Sequence, residues 1–250
     1  MNDAEFQRRL MERMLAAQTP WGRFRLGLRV RLKRLAWRFV VGGASFAKRF
    51  FDVVVACLAL VLLAPLLLLL WWLVRRDGGP VFFQQTRVGL DGKEFKMLKY
   101  RSMCVDAEAK LQELLVHNEK AQGITFKMKD DPRVTRVGRI IRKTSLDELP
   151  QFLNVLRGEM SIVGPRPPIP REVALYTARD RRRLAVKPGI TCLWQVGERE
   201  GRFWEIGDRN EIDFDEQVGL DVRYIESQSF WKDLWILLKT VPAILFGKGM

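Results

Sequence analysis

Val53-Val54-Val55-Ala56-Cys57-Leu58-Ala59-Leu60-Val61-Leu62-Leu63-Ala64-Pro65-Leu66-Leu67-Leu68-Leu69-Leu70-Trp71-Trp72-Leu73-Val74 is an uninterrupted apolar run. As a straight helix it would be about 33 Å long, enough to cross a hydrocarbon core of about 30 Å. Two features argue against a straight span. Pro65 lies near the middle, where it removes a backbone hydrogen bond and its ring collides with the preceding turn, so the helix kinks or breaks there. Lys48 and Arg49 precede the run and Arg75 and Arg76 follow it, and basic flanks favour the cytoplasmic side at both ends. The expectation is a helix-break-helix over residues 46–76 that enters and leaves a bilayer by one face, with Pro65 as the membrane break. A cleaved secretory signal is not expected, because a long basic region precedes the run and no small-residue cleavage site follows it.

Upstream, residues 1–45 form a basic amphipathic amino-terminal arm, as in Arg23-Phe24-Arg25-Leu26-Gly27-Leu28-Arg29-Val30-Arg31-Leu32-Lys33-Arg34. Such a segment suits an anionic bilayer surface, where each basic residue contributes roughly 1 kcal/mol. Taken alone it suits RNA equally well. The apolar run behind it favours membrane lipids, and no nucleic-acid partner is expected. Self-association of the arm, giving a homodimer, stays open.

A chain of 250 residues that is 48% hydrophobic and 29% charged is globular rather than disordered, and its net charge of +14 calls for an anionic partner. Cys57, Cys104 and Cys192 are scattered and odd in number, which supports neither a disulfide framework nor a zinc site. The single histidine, His117, makes a Ser-His-Asp triad improbable. Neither G-x-x-x-x-G-K-[ST] nor G-x-G-x-x-G occurs.

Downstream, residues 77–250 read as a cytosolic catalytic domain of α+β class, mainly helical. Val81-Phe82-Phe83 and Phe95-Lys96-Met97-Leu98 flank the turn Leu90-Asp91-Gly92-Lys93, a hairpin signal. Helices are expected over 106–118, 171–186 and 213–227, a turn at Asp130-Asp131-Pro132, and a loop over 187–191. Phe230-Trp231-Lys232-Asp233-Leu234-Trp235-Ile236-Leu237-Leu238-Lys239 places Trp and Leu on one side and Lys on the other before Pro242. It reads equally as an interfacial amphipathic helix or as a helix packed on the core.

Between these lies Thr144-Ser145-Leu146-Asp147-Glu148-Leu149-Pro150-Gln151, with Gly164-Pro165-Arg166-Pro167 close behind. Pro150 marks a helix start ahead of Phe152, Leu153 and Leu156, so Asp147 and Glu148 are expected at a helix N-terminus, where unpaired N–H groups favour anions. Arg142 and Arg166 could bring guanidinium forks to a phosphate held there. An acidic pair at a helix start is also an ordinary cap, and spacing alone does not separate the two readings.

Taken together, Lys48-Arg49-Phe50-Phe51-Asp52, Pro65, Gln85-Thr86-Arg87-Val88-Gly89, Phe95-Lys96, Lys99-Tyr100-Arg101-Ser102-Met103, Ser145-Leu146-Asp147-Glu148-Leu149-Pro150-Gln151, Gly158-Glu159-Met160-Ser161-Ile162-Val163-Gly164-Pro165-Arg166-Pro167, Lys187-Pro188-Gly189-Ile190-Thr191 with Leu193-Trp194-Gln195, and Leu220-Asp221-Val222 with Tyr224 follow one another in a specific order. That order resembles the bacterial sugar transferases, the monotopic phosphoglycosyl transferases that move a sugar 1-phosphate onto a polyprenyl phosphate. The likeness covers about four-fifths of the chain and leaves residues 1–45 aside.

The resemblance implies that Asp147 is the nucleophile towards the β-phosphorus of a UDP-sugar, with UMP released and an aspartyl-phosphosugar formed. Glu148 would assist, Asp147 and Glu148 would be the metal contacts for Mg²⁺, and Lys99, Arg101, Arg142, Arg166 and Asp221 would be phosphate- or substrate-binding. It further implies polyprenyl (undecaprenyl) phosphate as acceptor, residence in the bacterial inner membrane with the catalytic domain facing the cytoplasm, and a place at the start of exopolysaccharide, capsule or O-antigen synthesis. The sequence departs from the family at Ala64-Pro65, where Ser-Pro is usual, at Cys192, where Gly is usual, and in a longer stretch over 197–210. The competing readings are a non-catalytic membrane-surface scaffold in polysaccharide assembly and a nucleic-acid binder, the latter hard to reconcile with the apolar run.

Overall fold

Pro65 divides the apolar run as its chemistry requires. Helix α1 spans Pro20–Leu62 and helix α2 spans Ala64–Arg76, and the pair is bent by 66° at Leu63. Proline is tolerated in the first turn of α2 because its missing N–H would have no partner there. The same ring would collide with the last turn of a continuing α1. Among the described residues no single helix is long and apolar enough to cross a membrane, whereas Ser45–Leu62 and Ala64–Arg76 together are.

The computed structural model describes residues 5, 7–8, 11, 14–15, 18–107, 109–110, 131–196, 198–199, 202–203 and 212–246. The helix expected over most of 106–118, His117, Asp130 and most of the 197–210 stretch lie outside them. The chain divides into two compact units, Met1–Phe50 and Phe51–Met250. In the first, α1 opens on Thr19, whose hydroxyl accepts from the Gly22 N–H at 3.0 Å, with Pro20 following.

In the second unit, Leu58, Val61, Leu62, Leu68, Leu69, Trp71 and Trp72 are exposed, while Leu70 and Val74 pack with Val81, Tyr100 and Ile141. The helix pair is thus apolar all round, with one face on the protein and the other uncovered, a contiguous exposed apolar surface. Asp52 ties it down: buried, its Oδ1 accepts from Ser161 Oγ and from the Ile162 N–H, both at 3.0 Å. The Tyr100 hydroxyl donates to the Leu67 carbonyl at 2.9 Å.

The hairpin forms as its turn residues predict. Strands β1, Phe82–Val88, and β2, Glu94–Tyr100, pair antiparallel with Phe82 opposite Tyr100 and Val88 opposite Glu94. Asp91 and Gly92 take the positive φ values the turn needs, 55° and 78°.

Helices α3, Arg136–Lys143, and α4, Gln151–Arg157, then lead to strand β3, Ser161–Val163. β3 pairs in parallel with β4, Gly189–Thr191, which corrects the loop expected over 187–191. A three-residue strand is too short to show alternation, so its pairing is invisible in sequence. Two glycines permit it. A Cβ on Gly164 would stand 2.5 Å from the Lys187 carbonyl, and one on Gly189 would stand 2.1 Å from the Gly164 nitrogen.

The helix expected over 171–186 is also corrected. The chain forms a short α5, Pro170–Ala174, and a 3₁₀ segment, Asp180–Ala185. Asp180 Oδ2 accepts from the Thr177 N–H at 2.9 Å and from its hydroxyl at 2.8 Å, a local turn that competes with continued helix.

Helix α6, Phe214–Glu226, forms where a helix was expected and is capped by Asp213, with the Glu216 N–H donating to Asp213 Oδ1 at 2.8 Å. Helix α7, Phe230–Phe246, runs on through Pro242; the bond that proline removes falls on the carbonyl of Leu238, an exposed residue. One face of α7 packs on the core and the other is uncovered. Ile236 and Asp233 are buried, the latter accepting from the Tyr224 hydroxyl at 2.7 Å, while Trp231, Leu238 and Val241 are exposed.

Candidate active site

The acidic pair sits at the end of a turn that local chemistry sets up. The Thr135 hydroxyl caps α3, accepting from the Gly138 N–H at 2.9 Å. Beyond Lys143 the backbone at Ser145 turns left-handed, φ 55°, a conformation costing a non-glycine residue about 1–3 kcal/mol and found mostly where the surroundings demand it. A single 3₁₀ turn, Leu146–Glu148, follows. Asp147 and Glu148 thus lie in a turn just ahead of α4, and the one shift from the expectation is that Pro150 occupies the cap position of that helix rather than its first residue. Leu146 and Leu149, three apart, pack against the Leu70, Val74 and Ile141 cluster. That anchors the turn on one side and leaves both carboxylates to face β2.

On β2, Met97, Leu98 and Tyr100 are buried, and Lys99 reaches the acidic turn. Its Nζ lies 2.6 Å from Glu148 Oε1 and 3.9 Å from Asp147 Oδ2. Burial drives the Asp147 carboxyl up from an ordinary 3.8 to about 6; Lys99 opposes the shift, the neighbouring Glu148 charge adds to it, and Arg142 opposes it from further off. Burial also opposes ionisation of Glu148, but the Lys99 charge and hydrogen bond outweigh it, with Arg166 and Arg87 adding, and hold that carboxyl below its ordinary value. The turn therefore presents an ionised Glu148 beside an Asp147 that ionises near pH 6.

Arg166 joins these groups from the Gly164-to-Pro167 loop. Arg166, Lys99 and Glu148 line one open depression of about 280 Å³ together with Arg87, Gln151, Gln195 and the backbone at Gly189. Arg87, Gln151 and Gln195 were not singled out as site residues from sequence. Arg87 is the informative omission: its Nη1 donates to the Pro167 carbonyl at 2.8 Å, and Nη2 and Nε donate to Gln85 Oε1 at 2.7 and 3.1 Å. Burial, then the like charge of Arg166, bring its pKa down to about 10, so it stays protonated at neutral pH. The signal was a basic residue inside a half-buried strand pattern, which needs an acceptor somewhere.

Two expected site residues go elsewhere. Arg101 Nη2 donates to the carbonyls of Val74, at 3.3 Å, and of Gly78. It thus satisfies the end of α2, where helix carbonyls lack partners, rather than facing Asp147. Asp221 is buried in an ion pair with Arg183 at 2.6 Å and is absent from the lining of the depression. Arg183 also donates to the Tyr176 hydroxyl at 3.1 Å. Arg142, half-buried at the end of α3, acts on Asp147 through its charge.

Among the described residues no group of three or more His, Cys, Asp and Glu gathers as a metal cage. Mg²⁺, however, is commonly held by one or two carboxylates with substrate phosphates and water completing its oxygen shell. Asp147 and Glu148 fit that donor set, although Lys99 already holds one oxygen of Glu148.

Residues 43–247 match the sequence profile of the bacterial sugar transferases. The chain belongs to that family. As a family member it is 48% identical over 203 residues to the Galactosyl transferase CpsE of Streptococcus agalactiae, covering 81% of this chain and 43% of that protein. It is 42% identical over 223 residues to the Undecaprenyl-phosphate galactose phosphotransferase of Salmonella typhimurium, 88% of this chain and 45% of that protein. It is 41% identical over 202 residues to the UDP-glucose:undecaprenyl-phosphate glucose-1-phosphate transferase of Caulobacter vibrioides, 79% of this chain and 69% of that protein. This sugar transferase chain therefore spans less than half the length of the first two, and the acidic turn, Lys99, Arg166 and the bent helix pair all fall inside the matched segment.

Proposed function

We propose that this chain transfers a hexose 1-phosphate from a UDP-hexose to a polyprenyl phosphate, undecaprenyl phosphate in a bacterial inner membrane, by two displacements through Asp147, as the first membrane step of exopolysaccharide, capsule or O-antigen assembly. The observation that carries the reading is the paired carboxylate turn with Lys99 at 2.6 Å from Glu148 and 3.9 Å from Asp147, its Glu148 lining a depression shared with Lys99 and Arg166, within a family-matched segment that begins with a bent apolar helix pair. The relatives' names favour glucose or galactose as the sugar.

In the first displacement an ionised Asp147 oxygen attacks the β-phosphorus of the donor. A P–O bond to Asp147 forms, the bond to the α-phosphate oxygen breaks, and UMP leaves with that electron pair. In the second, an oxygen of the polyprenyl phosphate attacks the same phosphorus, forming a lipid diphosphosugar and returning Asp147 as a carboxylate. This order gives ping-pong kinetics. Lys99 and Arg166 hold phosphate oxygens and neutralise charge as it spreads over the phosphoryl group, while Glu148 fixes Lys99 and is placed to accept a proton from the acceptor. Arg87 keeps the Arg166 loop in place through the Pro167 carbonyl. Mg²⁺, held by Asp147 and Glu148, would supply further neutralisation of the diphosphate.

The test is intact mass spectrometry of the full chain with Mg²⁺ and a panel of UDP-sugars, without lipid acceptor. A mass gain of one phosphohexose, absent in Asp147→Ala, is the expected result and names the sugar. No adduct with any donor, together with no UMP release after lipid phosphate is added, would leave a scaffold in polysaccharide assembly as the reading.

The acceptor phosphate is confined to headgroup depth by its tail, and a re-entrant pair entering and leaving on the cytoplasmic side would bring the acidic turn to that depth. Single cysteines at positions 46 and 77 are therefore expected to react, above the background of the three native cysteines, with a reagent confined to the cytoplasm. Protection of either one would mean that the pair spans the membrane.

A further inference from the structure

The arm ahead of the family match carries chemistry of its own. Residues 1–42 lie outside the matched segment. From Arg13 to Phe51 the sequence holds ten Lys and Arg and no Asp or Glu. From Pro20 this stretch is helix. With 3.6 residues per turn, Trp21, Phe24, Leu28 and Leu32 fall on one stripe. All four are uncovered, at 67%, 60%, 45% and 56% exposure, and the Trp21 and Phe24 rings stack with centroids 5.7 Å apart. Helical geometry sets Arg25 and Arg29 along one border of the stripe and Arg31 along the other, while Leu26 and Val30 interrupt the basic face without forming a second stripe.

Charge selects the occupant. A seam between two copies of this helix would set arginine against arginine on both borders, where paired helices use opposite charges. A nucleic-acid contact would use the guanidinium groups and leave the tryptophan-led stripe in water. An anionic bilayer takes both. Apolar side chains enter the acyl boundary, aromatic rings sit at headgroup level, and long basic stems lie along the apolar surface while their heads reach phosphates. Gly42 and Gly43, with nothing within 4 Å of where a Cβ would stand, are the cheapest place for this helix to bend.

We propose that residues 20–34 form a docking helix for an anionic phospholipid surface, with the Trp21, Phe24, Leu28 and Leu32 stripe turned into the bilayer. The site is separate from the transfer chemistry, so it is tested without donor or acceptor, and failure of the transferase reading leaves it standing.

The experiment places a diazirine amino acid at Leu28 in the full chain, reconstituted in nanodiscs of phosphatidylcholine with or without phosphatidylglycerol, and reads photo-adducts by mass. Phospholipid adducts are expected with phosphatidylglycerol present. They should fall at least tenfold without it, and at least tenfold in an Arg25→Gln/Arg29→Gln/Arg31→Gln variant, because the headgroup contacts that hold the stripe at the surface are then removed. Adducts to a second copy of the chain, adducts to added RNA, lipid adducts of equal yield in both lipid mixtures, or no adduct at all would each overturn the proposal.

Discussion

Replacing Asp147 by alanine is expected to lower UMP release from a UDP-hexose by about 10⁴-fold or more, since loss of a covalent nucleophile leaves only binding and charge stabilisation behind. The native chain should show its own signature of this group. Burial raises the Asp147 carboxyl to about 6, and only the ionised form attacks phosphorus, so the donor half-reaction should rise with pH through about 6 and level off above it. Measuring UMP release between pH 5 and pH 8 checks this; a flat profile, or residual activity within tenfold of wild type in Asp147→Ala, would take the nucleophile's role away from Asp147.

The same shift makes a statement about stability. Between 3.8 and about 6 the folded chain retains a proton that the unfolded chain has released, so stability falls as pH rises across that window, and the cost is fully present above about 6. It amounts to up to about 3 kcal/mol, the cost of holding an almost buried carboxylate ionised. Asp147→Asn keeps the shape without the charge and is expected to raise the melting temperature at pH 8 and leave it nearly unchanged at pH 4. Gain of stability with loss of activity separates an active-site carboxylate from an ordinary cap, whose removal would destabilise by about 1 kcal/mol at neutral pH.

The second large effect belongs to Lys99. Its ammonium lowers the pKa of both carboxyls of the turn, so Lys99→Met should push the Asp147 value above 6 and lift Glu148 above its ordinary range. The rate at pH 7 is expected to fall about 10²-fold, the usual scale for loss of one preorganised charge in a catalytic site. The rising limb of the pH profile should move to higher pH, and part of the loss should return at pH 9. If Lys99 only held the fold, the rate would fall without any movement of that limb. Lys99→Arg preserves the charge and should keep the limb near its native position.

These effects come from a part of the chain that was only half legible beforehand. Local chemistry marked Pro65 as the break, Asp91-Gly92 as the hairpin turn and Asp147-Glu148 as an acidic pair beside a helix start, because each depends on φ, on a missing N–H or on neighbours a few residues away. The family resemblance, by contrast, sent Arg101 and Asp221 to the active site. Their actual partners, the Val74 and Gly78 carbonyls and Arg183, are 23 or more positions away in the chain, and nothing in a local pattern ranks one distant acceptor above another.

What the sequence determined by itself was therefore the set of elements whose causes are short-range: the bent apolar pair, the hairpin, the helix that begins near Asp213 and the acidic pair just ahead of Pro150. Tertiary structure alone decided that β3 and β4 pair in parallel through Gly164 and Gly189, that Arg87 braces the Arg166 loop, and that Lys99 rather than Arg101 meets the acidic turn. Those outcomes follow from which buried charge finds which partner once the backbone has closed. Burial sets the energy at stake, but only the closed fold sets the distances.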